Sequence, residues 1–251
     1  MKYLKKFETQ AAYEAAESNL ILPNVSLISE TNAVAYKPSV PPVPSHDYVE
    51  IGDVKWATMN VGANSITDTG LYFEWGNPQG YSVDQIGCEK GKKCFADGCG
   101  DYKWYDDGGE TFTKYNSTDG LITLESSDDA VTAAWGGNWR MPTATEFAAL
   151  GTATTSAWTS SYEGSGVAGL VLTSKTNDAT LFFPAYGSAR NGSVRSVGGY
   201  GYYWSSSLTL DSEGQFVDYA YYLYFYNGDV SWNNSINRCR GYAVRGVLAE
   251  N

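Results

Sequence analysis

Histidine is nearly absent from these 251 residues, with His46 the single example, so a Cys/His metal site or a histidine-based hydrolytic triad has little to draw on. Basic residues are also sparse: 17 Lys and Arg stand against 28 Asp and Glu, giving a net charge of −11. A nucleic-acid footprint needs a basic stripe, so DNA or RNA binding is disfavoured, and the acidity reads as a solvated surface. No apolar run approaches the roughly 18 to 20 residues that span a bilayer, which argues against membrane insertion. The basic start Met1-Lys-Tyr-Leu-Lys-Lys6 has no apolar segment behind it, so a secretory signal is not expected. The chain is then made and kept in the cytoplasm, or it leaves by another route such as a virion freed by lysis. Cysteine is scarce and unevenly placed. Cys88, Cys94 and Cys99 cluster without the C-x2-C spacing of zinc ribbons, which favours a local disulfide or free thiols over a metal, and Cys239 stands alone.

What is present points to a turn-rich β or α+β protein. Aromatics make up 15% of the chain, with 20 Tyr and 27 Gly, and charged residues only 18%. Residues 1–38 read as a small N-terminal module: an Ala- and Glu-rich helix over Phe7–Asn19, then strands Val25–Ile28 and Ala33–Tyr36 around a Ser29–Asn32 turn. A module this small needs a partner, either another protein or copies of itself. Residues 39–47 form a stiff Pro-rich linker, and a larger α+β domain occupies residues 48–251. Within it, Val49–Trp56 predicts two strands around Gly52-Asp53. Ala144–Leu150 predicts a short helix with Thr143 as N-cap and Glu146 at the capping-box position. Leu181–Pro184, Tyr202–Ser206, Tyr221–Tyr226 and Tyr242–Val247 predict strands.

Asn227-Gly228 is the strongest two-residue hairpin signal, because a type I′ turn needs positive φ at both positions. Placing it at a tip pairs Tyr226 with Asp229, Phe225 with Val230, Tyr224 with Ser231, Leu223 with Trp232 and Tyr222 with Asn233. Alternation then sorts Leu223, Phe225, Val230 and Trp232 to a core face, and Tyr222, Tyr224, Tyr226, Asp229, Ser231 and Asn233 to the other. Stiff amphipathic tyrosines among Ser, Asn and Asp are the make-up of a paratope. The alternative is that they pack beneath a neighbouring loop. Asn233–Asn237 reads as an exposed loop.

Longer blocks carry a resemblance. Gly137-Asn-Trp-Arg-Met-Pro-Thr-Ala-Thr-Glu-Phe147 resembles the G-W-R-L-P-T-x-x-E-[FW] signature of formylglycine-generating-enzyme-like and C-type-lectin-like domains. Tyr72-Phe-Glu-Trp-Gly76, Gly201-Tyr-Tyr-Trp-Ser-Ser-Ser207 and Gly241-Tyr-Ala-Val-Arg-Gly-Val247 resemble blocks of the Fibrobacter succinogenes major paralogous domain, with Met141 and Gly246 departing from its Leu and Pro. The resemblance covers about 200 residues and implies an α+β, C-type-lectin-like fold of the formylglycine-generating-enzyme-like subtype. The tail also resembles the variable region of proteins targeted by diversity-generating retroelements in gut phages and bacteria. That likeness spans about residues 186–247. It implies fixed positions at Leu223, Phe225, Gly228, Val230, Trp232, Arg238 and Gly241. It implies diversified, ligand-binding positions at Tyr222, Tyr224, Tyr226, Asn227, Asp229, Ser231, Asn233, Asn234, Ser235, Ile236, Asn237, Cys239 and Arg240, with Cys239 exposed and unpaired. Leu22–Leu27 and Ala35–Pro38 are similar to short leaders of phage structural proteins, which implies docking to other virion proteins through residues 1–38.

The expectation is therefore a non-enzymatic, cofactor-free binding protein of a phage particle, in its tail or fibre, that attaches to a host cell-surface protein or glycan. A virion decoration protein without a diversified face is the first alternative. An oxidoreductase of the formylglycine-generating type is the second, although the cysteine pair that holds copper in those relatives has no counterpart here. Trp232-Asn-Asn234 lacks the Asp of the lectin calcium motif. Asp106-Asp107 and Asp128-Asp129 read as solvated loop charges, Glu146 as a cap and Arg140 as a structural partner.

Overall fold

The computed structural model describes residues 25–30 and 33–38 as backbone strands, and residues 46–106 and 111–249 in full. The predicted 7–19 helix and most of the linker lie outside the described residues. The chain divides into two units, Met1–Val43 and Pro44–Asn251. In the first, β1 (Val25–Glu30) and β2 (Ala33–Pro38) pair antiparallel from Val25↔Pro38 to Glu30↔Ala33, a longer hairpin than the sequence pattern predicts.

The second unit is mainly β, with few helices and no barrel among the described residues. It begins with β3 (Tyr48–Ile51) and β4 (Val54–Asn60), the pair expected around Gly52-Asp53. The short helix α1 (Ala130–Trp135) leads to β5 (Trp139–Arg140), and α2 (Ala144–Ala153) follows. Next come β6 (Thr154–Thr159), β7 (Gly169–Ser174) and β8 (Thr180–Pro184), an antiparallel three-stranded sheet. A small pair, β9 (Ser188–Arg190) and β10 (Ser193–Arg195), precedes the long strands β11 (Tyr200–Leu210), β12 (Phe216–Tyr226) and β13 (Asp229–Asn237). The last strand, β14 (Arg245–Leu248), returns to lie between β4 and β5, so the end of the unit is sewn to its beginning. No described helix is long and apolar enough to cross a membrane.

The capping box on α2 forms as the sequence predicts. Thr143 Oγ1 accepts from the Glu146 N–H, and Glu146 Oε2 accepts from the Thr143 N–H. Glu146 also takes both arms of the Arg140 guanidinium at 2.6 and 2.8 Å, fixing β5 to the start of the helix. Asp128 and Asp129 correct the expectation of solvated charges, because both are buried. Asp129 caps α1 by accepting from the Val131 and Thr132 N–H groups, and its other oxygen accepts from the Met141 N–H at 2.8 Å. Asp128 lies among Lys103, Lys114 and the Tyr115 hydroxyl. Adjacency in sequence hid two separate networks.

Strands β11 and β12 feed two cores at once. Trp204, Leu208, Ala220 and Tyr222 join a cluster with Trp75, Trp135, Tyr242 and Val244. The alternating residues Tyr203, Leu223 and Phe225 join another with Trp56, Phe147, Leu172, Phe183 and Val247. The sheet is thus packed on both faces over much of its length, which demands close fit: a Cβ at Gly201 would be driven into the Phe225 ring. Arg245 is fully buried without a carboxylate, its guanidinium held by the carbonyls of Ala57, Thr58 and Phe182 and by Asn60 Oδ1.

One disulfide closes a ring within the 88–101 loop, and a second ties that loop to the segment after β13. Cys88 pairs with Cys94, within the local option that the spacing left open. Cys239 pairs with Cys99 and is 0% exposed, which overturns its expected place as an exposed, unpaired thiol. The sequence could not show this pairing because the two positions are 140 residues apart. By chain-entropy arguments, replacing both Cys99 and Cys239 with Ala should cost about 2–5 kcal/mol in urea unfolding. The Cys88/Cys94 double replacement, whose partners are only six apart, should cost clearly less.

Candidate functional site

The Asn227-Gly228 turn stands at the tip of the β12–β13 hairpin, and the first three predicted pairs, Tyr226↔Asp229, Phe225↔Val230 and Tyr224↔Ser231, are present. The turn is not type I′, however, because only Gly228 (φ +144) and not Asn227 has positive φ. The register then shifts. Tyr222 pairs with Asn234, not Asn233, and the ladder continues through Tyr221↔Ser235 and Ala220↔Ile236 to Tyr219↔Asn237. A bulge on β13 therefore corrects the pairing of Leu223 with Trp232 and Tyr222 with Asn233, and residues 233–237 are strand, not loop. The bulge accommodates α2. Trp232 packs so closely on Gly151 that a Cβ there would strike the indole, and the Asn233 side-chain amide donates to Ala144 O at 2.8 Å.

The core face is as predicted. Leu223 and Phe225 are fully buried, and Val230 and Trp232 pack against the same cluster. The opposite face is a graded tyrosine surface. Tyr222 is only 6% exposed and packs with Trp204 and Tyr242, so it belongs to the core and not to the free surface. Tyr224 is half-buried, and Tyr226 is 37% exposed. Two partners escaped the sequence reading: Tyr200 and Tyr202 on β11 lie opposite Tyr226 and Tyr224. Tyr200 is also 37% exposed. Ring centroids are 5.7 Å apart for Tyr200 and Tyr226, 5.2 Å for Tyr202 and Tyr224, and 6.0 Å for Tyr200 and Tyr224. The signal was in the alternation Tyr200-Gly-Tyr202-Tyr-Trp204, which puts the first, third and fifth residues on one face.

Asp229 and Ser231 continue this face across β13, the former exposed and the latter half-buried. Asn234 and Ile236 lie opposite Tyr222 and Ala220, and Ile236 packs against the core. Ser235 and Asn237 lie opposite Tyr221 and Tyr219, on the other side of the sheet. The predicted residues thus divide. Tyr224, Tyr226, Asn227, Asp229 and Ser231 gather at one end with Tyr200 and Tyr202, whereas Asn233, Ser235 and Asn237 do not join them.

Arg240 and Cys239 also leave the set. Arg240 is buried against the 88–101 loop and ion-pairs with Asp97, whose carboxylate also receives Arg190 and the Asn191 amide. Hydrogen bonds from Arg190 and Arg240 hold the Asp97 carboxyl well below the ordinary range. These two residues anchor the end of β13 and offer little surface to a ligand. A separate shallow groove, lined by Asp47, Met59, Ile66, Tyr162 and Glu163, contains none of the predicted residues. No group of three or more His, Cys, Asp or Glu suited to a metal occurs among the described residues.

No family model, curated protein or solved structure matches the chain.

The gradient along the tyrosines has measurable consequences. Tyr222→Ala should cost about 3–4 kcal/mol in denaturant unfolding, whereas Tyr226→Ala should stay within about 1 kcal/mol. Burial pushes the Tyr202 and Tyr222 phenols from 10.0 up to about 12. A folded-state value raised above the unfolded one favours the folded chain while the phenol is neutral. That contribution is complete below pH 10.0 and is lost as pH rises towards about 12. The phenolate absorbance of these two residues, read as the difference from Tyr202→Phe and Tyr222→Phe variants, should therefore appear late and together with loss of the native circular dichroism. Titration of Tyr202 and Tyr222 near pH 10 in a chain still folded would contradict it.

Proposed function

We propose that the chain is a non-enzymatic binding protein whose ligand meets the tyrosine face at the hairpin end: Tyr200, Tyr202, Tyr224, Tyr226, Asn227, Asp229 and Ser231. The observation that carries this reading is a cluster of ring-stacked tyrosines that opens to solvent while the same strands are locked in two cores. Tyrosines in that position are stiff, amphipathic and already ordered, so association costs little side-chain entropy. The flanking Asn, Asp and Ser supply adaptable hydrogen bonds.

The block resemblances support a C-type-lectin-like domain for residues 48–251, and the tail resemblance supports diversification of its hairpin by a retroelement. The positions read as diversified need a narrower form. Those at the hairpin end fall on the open face, whereas Tyr222, Cys239 and Arg240 are structural. In this reading the chain is carried on a phage particle, in its tail or fibre. It contacts other virion proteins through residues 1–38 and presents the face to a host cell-surface protein or glycan. Two disulfides fit a protein that works in an oxidising setting outside the cell.

The test is binding of fluorescently labelled chain to intact cells of the host bacterium. Tyr200→Ala and Tyr226→Ala should each weaken binding roughly 30-fold, the loss of a hot-spot residue of about 2 kcal/mol, with unfolding midpoints little changed. Undiminished binding by the folded double variant would refute the face. For diversification, the gene should lie near a near-identical template repeat and a reverse transcriptase gene. If both are missing, that part fails and the binding face is judged on the cell assay alone.

A further inference from the structure

The chain contains two Asn-Gly pairs, Asn191-Gly192 and Asn227-Gly228. In such a pair the glycine nitrogen, unobstructed by a side chain, can reach the preceding side-chain carbonyl carbon. The structure treats the two pairs differently.

Asn191 is held at both ends. Its Oδ1 accepts from the Asp97 N–H at 2.9 Å, and its Nδ2 donates to Asp97 Oδ2 at 2.6 Å. The Gly192 N–H, which would be the nucleophile, donates to Cys94 O at 2.7 Å. The disulfide-closed loop thus fixes both the carbonyl and the attacking nitrogen. Asn227 is exposed at the hairpin tip, and among the described residues neither its side chain nor the Gly228 N–H has a hydrogen-bond partner. Gly228 has φ +144, a conformation that a residue with a side chain rarely adopts, so no side chain shields its nitrogen.

We propose that Asn227 is a site of spontaneous deamidation, so that the tip of the tyrosine face gains a carboxylate as the protein ages. The Gly228 nitrogen, giving up its proton to solvent, bonds to the Asn227 side-chain carbonyl carbon. The C–Nδ2 bond breaks, ammonia leaves, and a five-membered cyclic imide remains. Water then opens either imide C–N bond. One opening gives aspartate with the original backbone. The other gives isoaspartate, in which the chain runs through the former side chain and is one methylene longer.

Both products alter the face. Each puts a negative charge next to exposed Asp229, where like charges repel. The isoaspartyl form also lengthens a two-residue turn whose geometry sets the Tyr226↔Asp229 pairing. The change belongs to the Asn-Gly chemistry of the tip and does not depend on what the face binds.

The experiment incubates the purified, disulfide-bonded chain at mildly alkaline pH and follows it by ion exchange and peptide mass spectrometry. An unfolded, reduced sample in urea runs beside it. In the folded chain a more acidic species should accumulate, with aspartate and isoaspartate at 227 and an intact amide at 191. In the unfolded chain both sites should convert alike. Asn227→Gln should remove the acidic species from the folded sample. Equal conversion of 191 and 227 in the folded chain, or an intact Asn227 over a period in which the unfolded chain converts, would overturn the proposal.

Discussion

The alternation of β12 between two hydrophobic cores is the constraint on which the rest of the molecule depends. Leu223 and Phe225 project into one cluster and Ala220 and Tyr222 into the other, so a slip of one residue would exchange every buried side chain for its neighbour. This fixes β12 against β11 and β13. On the face that carries Tyr222 it leaves the hairpin end uncovered, and there the large residues are tyrosines. A surface built this way gains rigidity from the packing beneath it as well as from the ring contacts among its own tyrosines.

The C-terminal end of the hairpin is secured by different means. The Cys99–Cys239 bond, the Asp97 pairing with Arg190 and Arg240, and the burial of Arg238 under Phe112 hold the exit of β13 against the preceding loops. Arg238 donates to the carbonyls of Lys114, Tyr115 and Val217, and so finds carbonyl partners where no carboxylate is bonded to it. Burial draws its guanidinium pKa down. With one end clamped and the other exposed, the hairpin presents its tip without depending on the tip for stability.

Much of this was legible in the sequence because it depends on local chemistry. Asn227-Gly228 requires a turn, alternation around it assigns Leu223 and Phe225 to the core, and Thr143 with Glu146 marks the start of a helix. What was not legible depends on distant partners. The bulge on β13 is set by α2, against which Trp232 and Asn233 pack. Tyr222 is buried by Trp204 and Tyr242 from other parts of the chain, and Cys239 by its bond to Cys99. Period-2 patterning separates two faces of a strand, but it does not say which face another segment will cover.

The central claim, that the uncovered tyrosine end is the contact surface, is tested most directly by covalent footprinting. The chain would be labelled by hydroxyl radicals free in solution and again when bound to intact host cells. The account predicts protection concentrated at Tyr200, Tyr202, Tyr224 and Tyr226, with Tyr162 and Met59 of the shallow groove labelled equally in both states. Protection confined to that groove or to residues 1–43, with the four tyrosines unchanged, would contradict it.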